Sequence, residues 1–219
     1  DIETLAEAAH GSKAYLKKKG YGAAEIVFDE WNYFGDDEYD GNLWVGCRKD
    51  PKVAEKLFTS QKNEIGASFA AANMIAMNDM PIDIAVYYDG QYTMTWCGLF
   101  GNYGAKEKTF YAFKAYGEMY ANGGGIVEVN CGIEGVYAIA ASGGDADYIL
   151  ISNYKGESDY YSIDMLGLDS AHTAAQVYTI DKESSLGLLK TEYYHGIDAK
   201  QTIFIEKHSV VLIILRRKR

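Results

Sequence analysis

Cysteine and proline are scarce, three of one and two of the other in 219 residues. Cys47, Cys97 and Cys131 are odd in number and widely spaced, with no Cys-x-x-Cys pair and no clustered histidine. That argues against a disulfide framework or a zinc centre and reads as free thiols. His10, His172, His195 and His208 are equally scattered, which leaves a metal site or a Ser-His-Asp arrangement without support. Long apolar runs are missing too. The longest, Val210 to Leu215, suits a buried strand and falls well short of a membrane span. Asp1 to Leu5 lacks a basic leader followed by an apolar core, so no signal peptide is visible and the cellular location, cytoplasmic or secreted, stays open. Positive charge is in deficit. A net charge of −10 and a pI near 4.9 argue against a nucleic-acid partner, whose phosphates need a positive face.

What is present is 48% apolar residue content, 23 glycines and 19 tyrosines, and their distribution changes near residue 122. Before that point helical and strand patterns alternate, as in βα units. Ile2 to Lys19 predicts a helix with Lys17, Lys18 and Lys19 in its last turn and Gly20 beyond. Glu25 to Glu30 predicts a short parallel-type strand, and Asn32 to Asn63 a long Gly-, Asp- and aromatic-rich loop. Gly66 to Met80 predicts a helix buried on nearly every side, closed by Pro81. Ile82 to Tyr88 is the next strand, Asp89-Gly90 a turn, Thr93 to Phe100 extended chain, and Lys106 to Tyr120 an amphipathic helix.

Ala121-Asn122-Gly123-Gly124-Gly125 reads as a linker. Beyond it about seven strands are expected, centred on Val127, Tyr137, Ile149, Tyr161, Val177, Leu188 and Ile205 or later. Gly143-Gly144-Asp145, Lys155-Gly156 and His195-Gly196 look like turns. Such a run suggests a β-sandwich whose final strand, Ser209 to Leu215, is central, followed by a solvated basic tail, Arg216 to Arg219. The expected organisation is therefore an α/β unit over residues 1–122 and an all-β unit over 123–219.

The chemistry concentrates at the end of the first strand. Alternation places Ile26, Phe28 and Glu30 on one face, with Glu30 at the carboxy-terminal end, which in a parallel barrel is the catalytic rim. A carboxylate followed at once by Trp31, Asn32, Tyr33 and Phe34 combines what sugar chemistry needs: a charge for the anomeric carbon, an amide for hydroxyls and flat apolar faces for sugar rings. A neutral sugar also suits the acidic chain. The plainer reading is an Asp-Glu pair that ends a strand and caps the next loop.

Ile26-Val27-Phe28-Asp29-Glu30-Trp31-Asn32 resembles the nucleophile segment of clan A retaining glycoside hydrolases. Asp29-Glu30-Trp31-Asn32 is most similar to the family 51 arabinofuranosidases. Trp96 to Phe100 and Lys108 to Phe113 are more like the family 39 xylosidases. The resemblance implies that the first part is the end of a (β/α)₈ barrel, from helix six to helix eight, and that the rest is the accessory sandwich. It implies Glu30 as nucleophile, and Trp31, Asn32, Tyr33 and Trp96 as sugar contacts. Trp44 could line an outer subsite or anchor its loop. No metal or organic cofactor is implied.

A complete barrel takes about 250 residues, and the acid/base of this clan lies after strand four, which the resemblance puts before Asp1. Retaining catalysis requires that second carboxyl group about 5 Å from the first. Glu64, Asp79, Asp83 and Glu107 fall at helix ends or strand starts, pointing away from the rim, and Asp36, Asp37 and Glu38 read as a solvated turn. The expectation is thus a glycosidase fragment for plant-type glycans, little active by itself, whose two barrel strands leave unpaired edges for the missing half or a second copy. The alternatives are a non-catalytic carbohydrate-binding protein and a purely structural accessory domain.

Overall fold

The computed structural model describes residues 2–35, 43–92, 96–122, 124–168, 172–193 and 199–217. The expected acids Asp36, Asp37 and Glu38, the His195-Gly196 turn and the end of the basic tail lie outside these residues, as does the side chain of Trp44.

The chain opens with helix α1 (Ile2–Lys18), whose last turn carries Lys17 and Lys18 against the negative end of the helix dipole. Strand β1 (Val27–Trp31) follows. Two helices then occupy a stretch that the sequence suggested was loop, α2 (Leu43–Lys49) and α3 (Pro51–Lys62). The signal for α3 was legible: Asp50 caps it, its side chain accepting from the Lys52 amide at 2.9 Å, and Pro51 supplies the preset first turn. Helix α4 (Glu64–Met77) starts almost without a break, because Asn63 ends α3 and caps α4 through the Ile65 amide. Gly66 makes this join possible, since a Cβ there would come within 2.3 Å of the Gln61 carbonyl oxygen. Strand β2 (Ile84–Tyr87) runs parallel to β1, and α5 (Lys108–Ala121) completes the first part.

Strands β3 (Gly125–Val127), β4 (Val136–Gly143), β5 (Ala146–Asn153), β6 (Tyr160–Met165), β7 (His172–Ile180), β8 (Ser185–Tyr193), β9 (Ala199–Phe204) and β10 (Ser209–Arg217) make up the rest. Six of them form an antiparallel sheet in the order β3-β4-β5-β10-β7-β8, and β6 pairs with β9 separately. The apolar run in β10 is explained by its place. Val210, Leu212 and Ile214 face α4 and α5, against Ala67, Ala70, Ala71, Ala112 and Ala115. Val211, Ile213 and Leu215 face Tyr161, Met165 and Ile203 of the β6-β9 pair. A strand covered on both faces cannot alternate polar and apolar residues.

The helix-side core runs across the Ala121–Gly125 linker, joining Trp31 and the alanines of α4 and α5 to Tyr148, Leu150 and Leu212. Small side chains let helix and sheet approach closely, and the Ser152 hydroxyl donates to the Ser68 carbonyl at 2.7 Å across the join. One expectation is corrected at the tail. Arg217 belongs to β10 and is held by Asp147, Ser142 and the Gly144 carbonyl, so this arginine is an ordered partner in the sheet and no solvated end.

Candidate functional site

Strand β1 does not keep a period of two. Val27 and Phe28 pair with Ile84 and Ala85, but Trp31 pairs with Tyr87, so three residues of β1 match two of β2. This is a bulge at Asp29-Glu30, and it re-aims the chain. Phe28 and Trp31 both turn into the helix-side core, while Asp29 and Glu30 stay exposed. The expected shared face of Phe28 and Glu30 is therefore broken by the extra residue. The pair is closed on either side: Ile26 donates to the Asp83 carboxylate at 2.8 Å, and Tyr88 donates to the Trp31 carbonyl at 3.0 Å.

Trp31 is only 5% exposed, edge-on to Tyr87 at 4.9 Å and tilted against Phe113 and Phe69. The residue expected as a sugar contact packs here as a wedge in the core, and its indole N–H has no hydrogen-bond partner among the described residues. Asn32 and Tyr33 are also buried. Asn32 donates to the Tyr88 carbonyl and accepts from the Tyr87 hydroxyl at 2.8 Å and the Tyr33 amide at 2.6 Å. The Tyr33 ring packs edge-on to Phe69 at 5.4 Å. Both residues brace the loop behind Glu30.

Gln61, fully buried at the end of α3, ties three segments together. Its amide donates to the Tyr33 carbonyl at 2.9 Å, its side-chain oxygen accepts from the Cys97 amide at 2.7 Å, and its own carbonyl accepts from Thr109 at 2.7 Å. The loop after β1, the loop after β2 and the start of α5 are thereby held in register. Sequence reasoning passed over Gln61 because a glutamine in an unassigned loop carries no signal.

Trp96 sits half-buried in the loop after β2, its ring 5.7 Å from Tyr88 and 6.4 Å from Phe58 of α3. Beyond Phe58 opens a groove of about 600 Å³ lined by Pro51, Ala54, Glu55, Thr59, Lys62 and Glu107 among others. Glu30 does not line this groove. Glu107 lines the groove and its amide donates to the Leu99 carbonyl in the loop after β2, whereas Asp83 stands at the opposite end of β2.

The electrostatics identify a residue the sequence reading treated as a mere turn. Burial, then the charges of Asp89, Cys97 and Glu30, raise the Tyr88 phenol. Burial first and Asp89 next push the Cys97 thiol up to about 12, with Lys62 opposing and Glu30 adding a smaller push. Glu30 and Asp89 therefore bear on the same two groups. Asp89 stands directly after Tyr88, where its backbone carbonyl accepts from Leu99 at 2.9 Å and its carboxylate from the Gln91 amide at 3.1 Å. The available signal was its place just past the carboxy-terminal end of β2. Burial, followed by Cys97 and Asp89, also drives the Tyr87 phenol far upward, keeping it a hydrogen-bond donor to Asn32.

Among the described residues no group of histidine, cysteine, aspartate and glutamate could hold a metal, and no helix is long and apolar enough to cross a membrane. Cys47, Cys97 and Cys131 are free thiols.

No family model matches the chain, and no curated protein matches it. Solved structures do, and they are glycoside hydrolases. A glucosidase from Croceicoccus marinus superposes with a TM-score of 0.74 at 18% identity, over 100% of this chain and 51% of that one. A monomeric beta-xylosidase from Caulobacter crescentus gives 0.62 at 11% identity, over 99% and 50%. The GH39 enzyme from Xanthomonas axonopodis pv. citri gives 0.60 at 11% identity, over 94% and 57%. The chain thus shares the fold of about half the length of these enzymes, in line with the clan resemblance carried by residues 26–32.

Proposed function

We propose that the chain is the carboxy-terminal half of a retaining glycoside hydrolase, with β1 and β2 as the seventh and eighth strands of a (β/α)₈ barrel and residues 123–219 as the accessory β-sandwich. The observation that carries this reading is Glu30. It stands exposed on a bulge at the carboxy-terminal end of a parallel strand, its charge bearing on Tyr88 and Cys97, and the Tyr88 ring in turn packs against Trp96. Bulges at barrel rims aim side chains at active sites, and catalytic groups of barrels come from these strand ends.

In this proposal Glu30 attacks the anomeric carbon and forms the glycosyl-enzyme ester, while an acid on a preceding segment protonates the leaving oxygen and then activates water. Trp96 offers the ring for stacking, and Asn32 and Tyr33 act through the buried network that fixes the loop. The substrate class is a plant-type glycan, a β-xyloside or α-arabinofuranoside, because the segment's likeness to families 39 and 51 and the fold's likeness to a beta-xylosidase point the same way. The isolated 219 residues turn over little, for one carboxylate cannot serve both halves of a double displacement.

The test is Glu30→Gln in the full-length enzyme. Turnover falls by several orders of magnitude, glycan affinity is kept, and a fluoroglycoside inactivator labels Glu30 in the parent, as read by peptide mass spectrometry. Unchanged turnover, or a label on another residue, refutes the assignment. Among the described residues the outer edges of β1 and β2 are unpaired, and with Val27, Ile84 and Val86 exposed this favours association with the barrel's other half or a second copy. A concentration-independent monomer in size-exclusion chromatography counts against it.

A further inference from the structure

The β6-β9 pair has an outer face that the helix-side and sheet-side cores do not use. In strand geometry alternate residues share a side. Tyr161, Met165, Gln201, Ile203 and Ile205 point inward and are buried. Outward go three directly opposed pairs: Tyr160 with Phe204, Ser162 with Thr202, and Asp164 with Lys200. All six are exposed, Tyr160 at 68% and Phe204 at 45%.

The chemistry of this strip is ordered along the strands. At one end the Tyr160 and Phe204 rings lie 5.1 Å apart, inclined at 59°. The middle row offers two hydroxyls. The far row is an ion pair, Lys200 to Asp164 at 3.5 Å, which leaves the strip electrically neutral on a chain of net charge −10. Successive rows are about 7 Å apart at about 3.4 Å per residue, so the strip spans a short oligosaccharide and exceeds a single ring. The approach to the pair is pinned in advance: the Ile205 amide donates to the Asp159 carbonyl at 2.8 Å, and the Tyr161 hydroxyl donates to the Ser158 carbonyl.

Exposed aromatics beside paired hydroxyls and a self-neutralised charge pair match a neutral, polyhydroxylated ligand. A polyanion meets no net positive charge here, and an apolar protein surface would leave the middle and far rows unpaired. We infer that the outer face of β6-β9 is a second glycan-binding site, separate from Glu30, that holds a neutral polysaccharide chain through Tyr160, Phe204, Ser162 and Thr202. Its ligand class rests on the reading in the preceding subsection; its residues do not.

The experiment is depletion binding of the 219-residue chain to insoluble arabinoxylan and to cellulose, with sedimentation velocity run alongside. The wild type and Tyr120→Ala, which removes an exposed ring of α5, bind at least one of these equally well. Tyr160→Ser with Phe204→Ser weakens binding about tenfold or more, as loss of aromatic anchors does. Ser162→Glu, which leaves both rings in place and adds a charge to the middle row, weakens it comparably and decides the matter should the double variant fail to fold. Undiminished binding by the double variant and by Ser162→Glu overturns the inference. So does a wild-type dimer that these substitutions dissolve, which makes the face a self-contact. Binding lost in Trp96→Ala or Tyr120→Ala alone overturns it too while leaving the proposed function standing, and a chain that binds neither glycan overturns it while Glu30 is judged separately by labelling.

Discussion

Replacing Gln61 by leucine removes the clamp between the two loops that flank Glu30. The side chain is fully buried and serves the Tyr33 carbonyl and the Cys97 amide, so the substitution strands one acceptor and one donor away from water. Each stranded group costs about 1–3 kcal/mol, and the apolar side chain recovers part of it, which leaves a net loss of about 2–4 kcal/mol. For a chain of this size that lowers Tm by about 5–15 °C. Glutamate at the same position adds a sign test. Protonated, it donates to the Tyr33 carbonyl and accepts from the Cys97 amide, as the native amide does. Ionised, it buries a charge against the Tyr33 carbonyl oxygen, beside Cys97, on which the charges of Asp89 and Glu30 already bear. Its folded-state pKa is therefore raised above the unfolded value of about 4.3. The stability it supports is complete below that value and lost as pH rises through the folded pKa. Urea unfolding followed by tryptophan fluorescence gives the difference from wild type at pH 5 and pH 8. Gln61→Leu should fall in the range above, and Gln61→Glu should show a larger penalty at pH 8 than at pH 5. A leucine variant within about 0.5 kcal/mol of wild type, or a glutamate penalty independent of pH, refutes the clamp.

Trp31→Ala should cost about 3–5 kcal/mol in the same assay, because it hollows the core between β1, α4 and α5; a loss under about 1 kcal/mol would return Trp31 to the surface. Gly66→Ala should destabilise by about 1–3 kcal/mol, since the new methyl meets the Gln61 and Ser60 carbonyl oxygens, and a neutral result on thermal unfolding would mean that the α3-α4 join is looser than described. Cys97 should resist a thiol reagent at pH 8 while exposed Cys131 reacts, and equal rates would contradict its burial. With a folded pKa of about 12 against an ordinary 9.0, the Cys97 contribution to stability is intact below about pH 9 and lost as pH climbs towards 12, so an unfolding midpoint flat across that window in the wild type but falling in Cys97→Ala would reverse the sign.

Periodicity and end signals located α1, α4, α5 and the two parallel strands to within a few residues, because a buried helix and a buried strand each impose a spacing that composition displays. The apolar run in β10 marked a central strand for the same reason: solvent reaches neither face. Local chemistry also put Glu30 at a strand end. Three things depended on partners distant in the chain. The bulge that separates Glu30 from Phe28 exists only against β2, since register is a property of two strands. Whether an aromatic is wall or platform depends on what arrives from elsewhere, and it is α4 and α5 that bury Trp31 while leaving Trp96 at the surface between Tyr88 and Phe58. Gln61 and Asp89 acquire meaning only when segments dozens of residues apart bring them a carbonyl, an amide and a neighbouring charge, contacts that no local pattern encodes.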